Sequence, residues 1–494
     1  MSAPPEPALF VGFALYLLLM LGVGLITVRY MRSLDDFVLG GRRLGPWVAA
    51  ISERASGESA WFLLGLPGAC YALGFQEFWS VIGIGFGILA SWTLVAVGLR
   101  RGTGGMGALT LPDFLEGRFP GRRHAVRILS STVILFFYTI YLGAQFVGAG
   151  KILNATFGLG ENWGMVVGAG VVLAYTVLGG FLAVAWTDLF QGLLMAGVAI
   201  LLPVLAVGQL GGPTGVLESL AGAGPGFLTM NAGKTGHAFL FGVMIGGLSW
   251  GLGYFGQPHL LVRYMAIRRV RDLRRGTVIA MGWVLIAYWG AAFIGLLGVG
   301  VLGPGLEDPE QVMPLMARAL VPAWLAGILI SGGVAAMMST ADSQLLVATS
   351  TLTEDIYVKL LRRGRPPENP ALLVRVGRGV TVGITAVALY LAFANRDLIF
   401  HMVAYAWSGL GSSFGPVLLL TFWWKGMRRE GVLAGLLTGL VGTVLWKNSA
   451  SLLGSDLGEI LDIKAATFLL AGMAAVLGSR VGDVLRREGP TGLA

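Results

Sequence analysis

Thirteen stretches of mostly apolar residues, most of them about 20 long, punctuate this chain. At about 1.5 Å per residue, 20 residues cross the roughly 30 Å hydrocarbon core of a bilayer as a helix. In lipid every backbone N–H and C=O must be satisfied within the protein, so a chain built from such runs folds as packed helices. The runs lie near 8–28, 46–73, 77–98, 128–150, 163–184, 186–209, 238–259, 276–302, 321–348, 377–395, 399–423, 431–449 and 464–482. They define the expected fold class: an all-α polytopic membrane protein with about 13 transmembrane helices. Charged residues are 12% of the chain, against roughly 25% in soluble domains. Its 77 glycines suit close helix packing in lipid, where small residues let backbones approach.

The segments between runs carry no sign of a soluble domain. The longest, near 99–127 and 210–237, are too short for one. The first contains Pro112, Gly117, Pro120 and Gly121 and is expected to hold one short surface helix. The N-terminal MSAPPEPA has no basic n-region, and the first run ends in Arg29 and Arg32; it reads as a retained helix, not a cleaved signal. The net charge of +9 raises the question of nucleic acid. The basic residues answer it: with the N-terminus outside, 28 fall in inside segments and 6 in outside segments. That is a topology signal, placing the N-terminus outside and the C-terminus in the cytoplasm. One cysteine, Cys70, and four scattered histidines exclude a disulfide framework and a cysteine zinc site. No nucleophile with a base and an oxyanion site is visible, so the chain does not read as an enzyme.

Two runs look broken. The run 46–73 carries Glu53, Arg54 and Glu58 around a Ser56-Gly57 pair. Charges at that depth cost about 2.5–3.5 kcal/mol each on the lenient insertion scale, and a Ser-Gly pair is where a helix opens. Unwinding is expected near Ala55–Glu58. The run 238–259 leads through GGLSWGLGYFGQPHLL, residues 246–261, with five glycines and Pro258. The two broken runs are five apart in order. Interruptions at corresponding places in two halves point to an inverted-repeat secondary transporter. Residues 46–209 and 238–423 would form a five-plus-five core with broken helices 2 and 7. Residues 8–28 and 431–482 would be peripheral, all within one transporter domain spanning 1–494.

Carbonyls freed at membrane depth need partners, and a cation is one. The run 321–348 offers Ser339, Thr340, Asp342, Ser343 and Gln344. Their oxygens suit a small hard cation, and Ser339 and Ser343 lie one turn apart on one face. Asp188, where two runs meet, reads first as a helix-cap carboxylate. Arg54 and Glu58, four apart, read as an intrahelical ion pair. Trp250, Tyr254 and Phe255 beside loosened backbone form either a pocket wall or ordinary packing, as do Tyr141 and Gln145.

At these residues the chain resembles the sodium/solute symporter family, most of all its bacterial sodium/proline symporters. The strings that carry the resemblance are FVLGGRRLGP, SAWFLLGLPGACYALG, ALTLPDFLEGRFP, GGFLAVAWTDLFQ, SWGLGYFGQPH, AAMMSTADSQLLVATSTLTEDIY and AYAWSGLGSSFGPV. The resemblance implies sodium-driven uptake by alternating access across the bacterial cytoplasmic (inner) membrane. It implies a sodium site made by the carbonyls of Ala55, Glu58 and Ala336 and the hydroxyls of Ser339 and Thr340. A further sodium site would use Asp188, Ser339, Asp342 and Ser343. The solute would meet Ser59, Ala60, Trp61, Tyr141, Trp250, Tyr254 and Pro258, and Arg42 would serve coupling. Sodium, a small solute and the bilayer are the implied partners, with no organic cofactor, no nucleic acid and no obligate protein partner.

The departures are local. Proline-transporting relatives read Ala-Ser-Asp-Met-Ser-Gly-Trp where this chain reads Ala55 to Trp61 as Ala-Ser-Gly-Glu-Ser-Ala-Trp. The acid moves one position, about 100° around a helix. Ala60 adds a methyl that would narrow the pocket, Glu53 and Arg54 add charges, and Asp342 replaces a small polar residue. The expected function is sodium-coupled import of a small solute, L-proline or a related amino acid first. A different solute, or proton coupling through Glu58 or Asp342, is the alternative; a transporter-like sensor is a distant third.

Overall fold

The structure, a computed structural model, describes residues 7–27, 39–224, 226–367, 369–394 and 399–488. Their regular structure is helical apart from one isolated parallel bridge, Leu44 to Ile267. The main helices are α1 (Pro7–Thr27), α2 (46–73), α3 (78–106), α4 (Ala125–Phe157), α5 (161–179), α6 (181–209) and α7 (238–266). After them come α8 (Val270–Leu302), α9 (323–361), α10 (Pro370–Ala394), α11 (Ile399–Trp423), α12 (Arg429–Lys447) and α13 (Ile463–Glu488). Among the described residues, ten stretches are long and apolar enough to cross a membrane, one of them (residues 46–106) running through both α2 and α3. Pro7–Val23 and Glu161–Ala174 are shorter apolar helices.

Helix α9 is the axis of the bundle. It packs against α1, α2, α4 and the α5–α6 run, and every residue from Leu329 to Leu346 is buried. Helices α11, α12 and α13 pack together at one side. The short helix expected after α3 is Leu111–Arg118, started by the Thr110 hydroxyl, which accepts from Asp113 N at 3.1 Å. It is tucked in rather than laid on the surface: Phe114 and Leu115 are buried. Arg127 at the start of α4 pairs with its Asp113 (2.8 Å) and with Asp355 of α9 (2.6 Å).

Both expected breaks exist; the one in α2 is displaced, and the one in α7 falls within the expected 246–261 stretch. In α2 the helix holds through Gly57 and Glu58 and breaks at Ser59, φ 55° and ψ −178°. That region is nearly glycine-only and costs about 1–3 kcal/mol, so surrounding bonds must impose it. They do. Ala60 N donates to Gln145 Oε1 of α4 at 2.9 Å, and Trp61 N to Ser59 Oγ at 3.1 Å. In an unbroken helix Ala60 N would donate to Ser56 O. In α7 the break is at Gly256–Gln257, after a 3₁₀ turn over Ser249–Phe255. Pro258 then starts a second helical piece, Pro258–Ala266, at a first-turn position that needs no N–H. Helix α7 therefore ends at 266, not 259. The boundary between α5 and α6 is Gly180, φ 57° and ψ −176°, which leaves Asp188 well inside α6 and not at a cap.

Helix α3 crosses the first half of α7 backbone to backbone. A methyl group on Gly87 would collide with the Gly251 carbonyl, and one on Gly83 would come 2.5 Å from Leu248 Cα. Gly87→Ala is expected to destabilise the protein by about 1–3 kcal/mol, the usual cost of overpacking. A thermal midpoint in detergent equal to the parent's would show that this contact yields freely.

Candidate transport site

The break in α2 faces the hydroxyl-bearing turn of α9. Thr340 Oγ1 donates to Ser56 O at 2.9 Å, taking the carbonyl that Ala60 N has left. Ser339 Oγ donates to Ala55 O at 2.9 Å and lies 3.1 Å from Ala336 O. Three carbonyls and two hydroxyls thus meet in one buried cluster. Ala55, Ala336, Ser339 and Thr340 are brought together as the sequence suggests. Thr340 reaches the carbonyl of Ser56, while that of Glu58 accepts from Trp61 N at the helix end. Hard oxygen donors grouped this way are the chemistry a small monovalent cation takes.

Beneath lies a second polar layer. Asp188 Oδ2 accepts from Ser52 Oγ (2.7 Å), Ser56 Oγ (2.8 Å) and Arg263 Nη2 (3.0 Å). Ser343 Oγ is 2.5 Å from Arg263 Nη2, 3.0 Å from Ser56 Oγ and 3.2 Å from Asp342 Oδ1. Asp188, Asp342 and Ser343 are therefore neighbours, with the buried Arg263 guanidinium between Asp188 and Ser343. Ser339 is not in this layer; its bonds are to Ala55 and Ala336. Arg263 also donates to His259 O at 2.7 Å. The seventh run was expected to end at 259, which counted Arg263 among the basic residues of the following inside segment; it lies instead in the helix Pro258–Ala266. The usable signal was its position four after His259, one turn into the helix that Pro258 begins.

The third feature is a small cavity above the break. Ser59, Trp61, Tyr141, Trp250 and Tyr254 line it, with Gly57, Glu58 and Trp407. Its free volume is about 10 Å³, room for about one water, so a solute would need these walls to part. Two residues expected here lie elsewhere. Ala60 has turned away: a Cβ on Gly148 of α4 would come 2.7 Å from its methyl, so that methyl does not narrow the cavity. Pro258 lines a different space, beside Phe181 and Leu346. Trp407 and Tyr288 were missed. Trp407 Nε1 donates to Trp250 O at 3.0 Å, answering a carbonyl of the loosened α7. Ser91 of α3 answers Tyr254 O at 3.0 Å. Above, Phe400 packs its ring on Trp250 and Trp61, with centroids 5.3 and 6.0 Å apart. Its backbone N–H donates to Glu310 at 3.0 Å, and Glu310 holds Lys151 at 2.5 Å.

Three charges flank the cavity within α2. Arg54 is paired bidentately with Glu53, through Nε to Oε2 at 2.6 Å and through Nη2 to Oε1. Its contact with Glu58 is longer, 3.4 Å. The sequence-neighbour pair thus outcompetes the pair four residues apart. Arg42 lies in the segment before α2. Its guanidinium donates to Thr103 O (3.2 Å) near the end of α3, to Ala108 O (2.7 Å) just after it, and to Met265 O (3.1 Å) at the end of α7. It ties the second piece of α7 to the loop before α2.

Two interrupted helices, with an oxygen cluster at one break and a small aromatic-lined cavity beside it, are the arrangement of a secondary transporter. Comparison with known proteins agrees. The family model described as "Sodium:solute symporter family" matches residues 37–439, and the chain belongs to the sodium:solute symporter family. It is thus a multi-pass membrane transporter, not an enzyme, coupled to sodium. The high-affinity proline transporter PutP of Bacillus subtilis is 39% identical over 454 residues, 91% of this chain and 94% of that one. The sodium/proline symporter of Salmonella typhimurium is 37% identical, covering 96% and 93%. Among solved structures, a substrate-bound outward-open Na+-coupled sialic acid symporter aligns with a TM-score of 0.79. It covers 96% of this chain and 98% of its own at 19% identity, a likeness of fold.

Proposed function

We propose that this protein imports a small amino acid, proline foremost, together with sodium, across a bacterial cytoplasmic membrane. One observation carries the reading: Ser339 and Thr340 of α9 reach the Ala55 and Ser56 carbonyls at the α2 break. Sodium would sit among these oxygens with the Ala336 carbonyl, replacing hydroxyl-to-carbonyl bonds with direct ligation. It would then tie α2 to α9 and favour one access state. The cavity beside the break would be shaped by that act. By linkage, sodium and solute strengthen each other's binding equally. The proline named by the relatives suits the aromatic walls, which would move apart to admit it.

The rest follows the same reading. Residues 46–209 and 238–423 act as two repeats with α2 and α7 as their broken members, thirteen crossings in all. The N-terminus is outside. We assign Arg263 as the resident cation of the Asp188 layer. A further sodium there would have to displace a guanidinium bonded to Asp188, Ser56, Ser343 and His259, so the reading takes one sodium per cycle. The solute, sodium and the bilayer suffice as partners. The test is uptake into liposomes holding the purified full chain under an inward sodium gradient. Labelled proline is expected to accumulate, and to stop accumulating when the gradient is dissipated. No sodium-driven uptake of proline or any other amino acid would refute the proposal.

A further inference from the structure

Two residues lining the cavity carry buried polar atoms of opposite sense that find no partner among the described residues: the Oε2 acceptor of Glu58 and the Nε1 donor of Trp61. Their surroundings are otherwise satisfied. Glu53 takes the two short bonds of Arg54 and also accepts from Trp92 Nε1 (3.1 Å) and Tyr264 OH (3.3 Å). The Tyr288 hydroxyl pairs with Tyr254 at 2.7 Å and also interacts with the Glu58 carboxyl. Glu53, Arg54 and Glu58 together carry two carboxylates and one guanidinium; the guanidinium leans to Glu53 and reaches Glu58 Oε1 only at 3.4 Å. One negative charge remains, on Glu58 at the cavity wall. A buried charge persists only if a partner neutralises it. The rings of Trp61 and Trp250 lie with centroids 4.7 Å apart; Trp250 already holds the Lys464 ammonium over its ring at 4.7 Å, which leaves Trp61 as the face that could attract a solute cation.

We propose that Glu58 selects the solute: its free oxygen takes the protonated nitrogen of an ammonium-bearing solute, while Trp61 Nε1 donates to that solute's carboxylate. The pocket is then built for a zwitterion and rejects carboxylates of the same shape that lack the cationic nitrogen. This deepens the import reading above and rests on it. The sodium seat, made with α9, is separate from this carboxylate oxygen, so the two cations have distinct places.

The experiment compares two probes of one shape on the full-length protein in liposomes: proline and tetrahydro-2-furoate, in which a ring oxygen replaces the NH₂⁺ group. Against labelled proline, tetrahydro-2-furoate is expected to compete about 30-fold more weakly than proline itself, the scale of a lost buried charge pair. In Glu58→Gln that gap should close to about threefold. The sodium concentration that half-saturates intrinsic tryptophan fluorescence should meanwhile stay within about twofold, showing a folded protein with its seat intact. Equal competition by the two probes in the parent protein would overturn the proposal, and needs no variant. So would Glu58→Gln that keeps full proline discrimination and loses only a pH dependence, which would give the charge to a proton. Uptake of a nitrogen-free carboxylate would overturn it while leaving sodium symport standing. Uptake of choline in place of proline would overturn it as well, since choline has neither an N–H for Glu58 nor a carboxylate for Trp61.

Discussion

Asp188→Asn is expected to destabilise the protein by about 3–5 kcal/mol and to abolish uptake. The reason is the partner it strands. Arg263 is fully buried, and Asp188 is the carboxylate within 3.0 Å of its guanidinium. Removing one member of a buried pair leaves the other charged in a medium that cannot solvate it, which costs far more than the pair is worth. The double change Asp188→Asn with Arg263→Gln should therefore recover most of the lost stability. The thermal midpoint in detergent, read as a double-mutant cycle, checks both halves. A parent-like midpoint for Asp188→Asn alone would mean the guanidinium has another refuge and the layer is not held by this pair. Uptake by the double variant bears on Arg263 as resident cation. If the arginine serves as a fixed cation, the variant should run on the parent's sodium-to-solute ratio, or else need one more sodium to fill the vacated place.

Ser339→Ala and Thr340→Ala should each raise the sodium concentration for half-maximal uptake about ten- to hundredfold. Each removes one of five grouped oxygens and leaves a carbonyl of α2, Ala55 O or Ser56 O, without its partner. A hydrogen bond or ligand of that kind, with the orphaned acceptor, is worth about 1–3 kcal/mol, and 1.4 kcal/mol is tenfold. At saturating sodium the affinity for proline should stay within about threefold of the parent's, because neither side chain lines the cavity. Thr340→Ser keeps the hydroxyl and should behave almost as the parent does. Uptake reduced by one factor at every sodium concentration, in folded protein, would count against a cation at this cluster.

How legible was this in the sequence? The helical bundle was plain, because apolar runs of bilayer length admit little else. The Ser339-Thr340 pair stood out because adjacent hydroxyls in an apolar helix are costly unless used. The errors share a cause: local rules were overridden by partners distant in the chain. Gly57 looked like the weak point of α2, yet the break falls at Ser59, because Gln145 of α4 takes the amide of Ala60 and fixes where the ladder ends. Ala60 was expected in the pocket, and that same bond turns it away. Arg263 was hidden by a glycine–proline run that ends one helical piece and begins another. Nothing local announces that the second piece re-enters the bundle. Trp407 and Tyr288 sit in ordinary apolar runs, and only the fold brings them to α7.

Ser56 serves two layers at once. Its carbonyl accepts from Thr340 in the cation cluster, and its hydroxyl bonds Asp188, Ser343 and Arg263 below. These atoms are a few covalent bonds apart, so the two layers share a pivot and not merely a border. A rotation of α2 large enough to pull the Ser56 carbonyl from Thr340 also swings its hydroxyl away from Asp188 and the arginine. At this residue the ion seat and the charge layer beneath it have one degree of freedom between them.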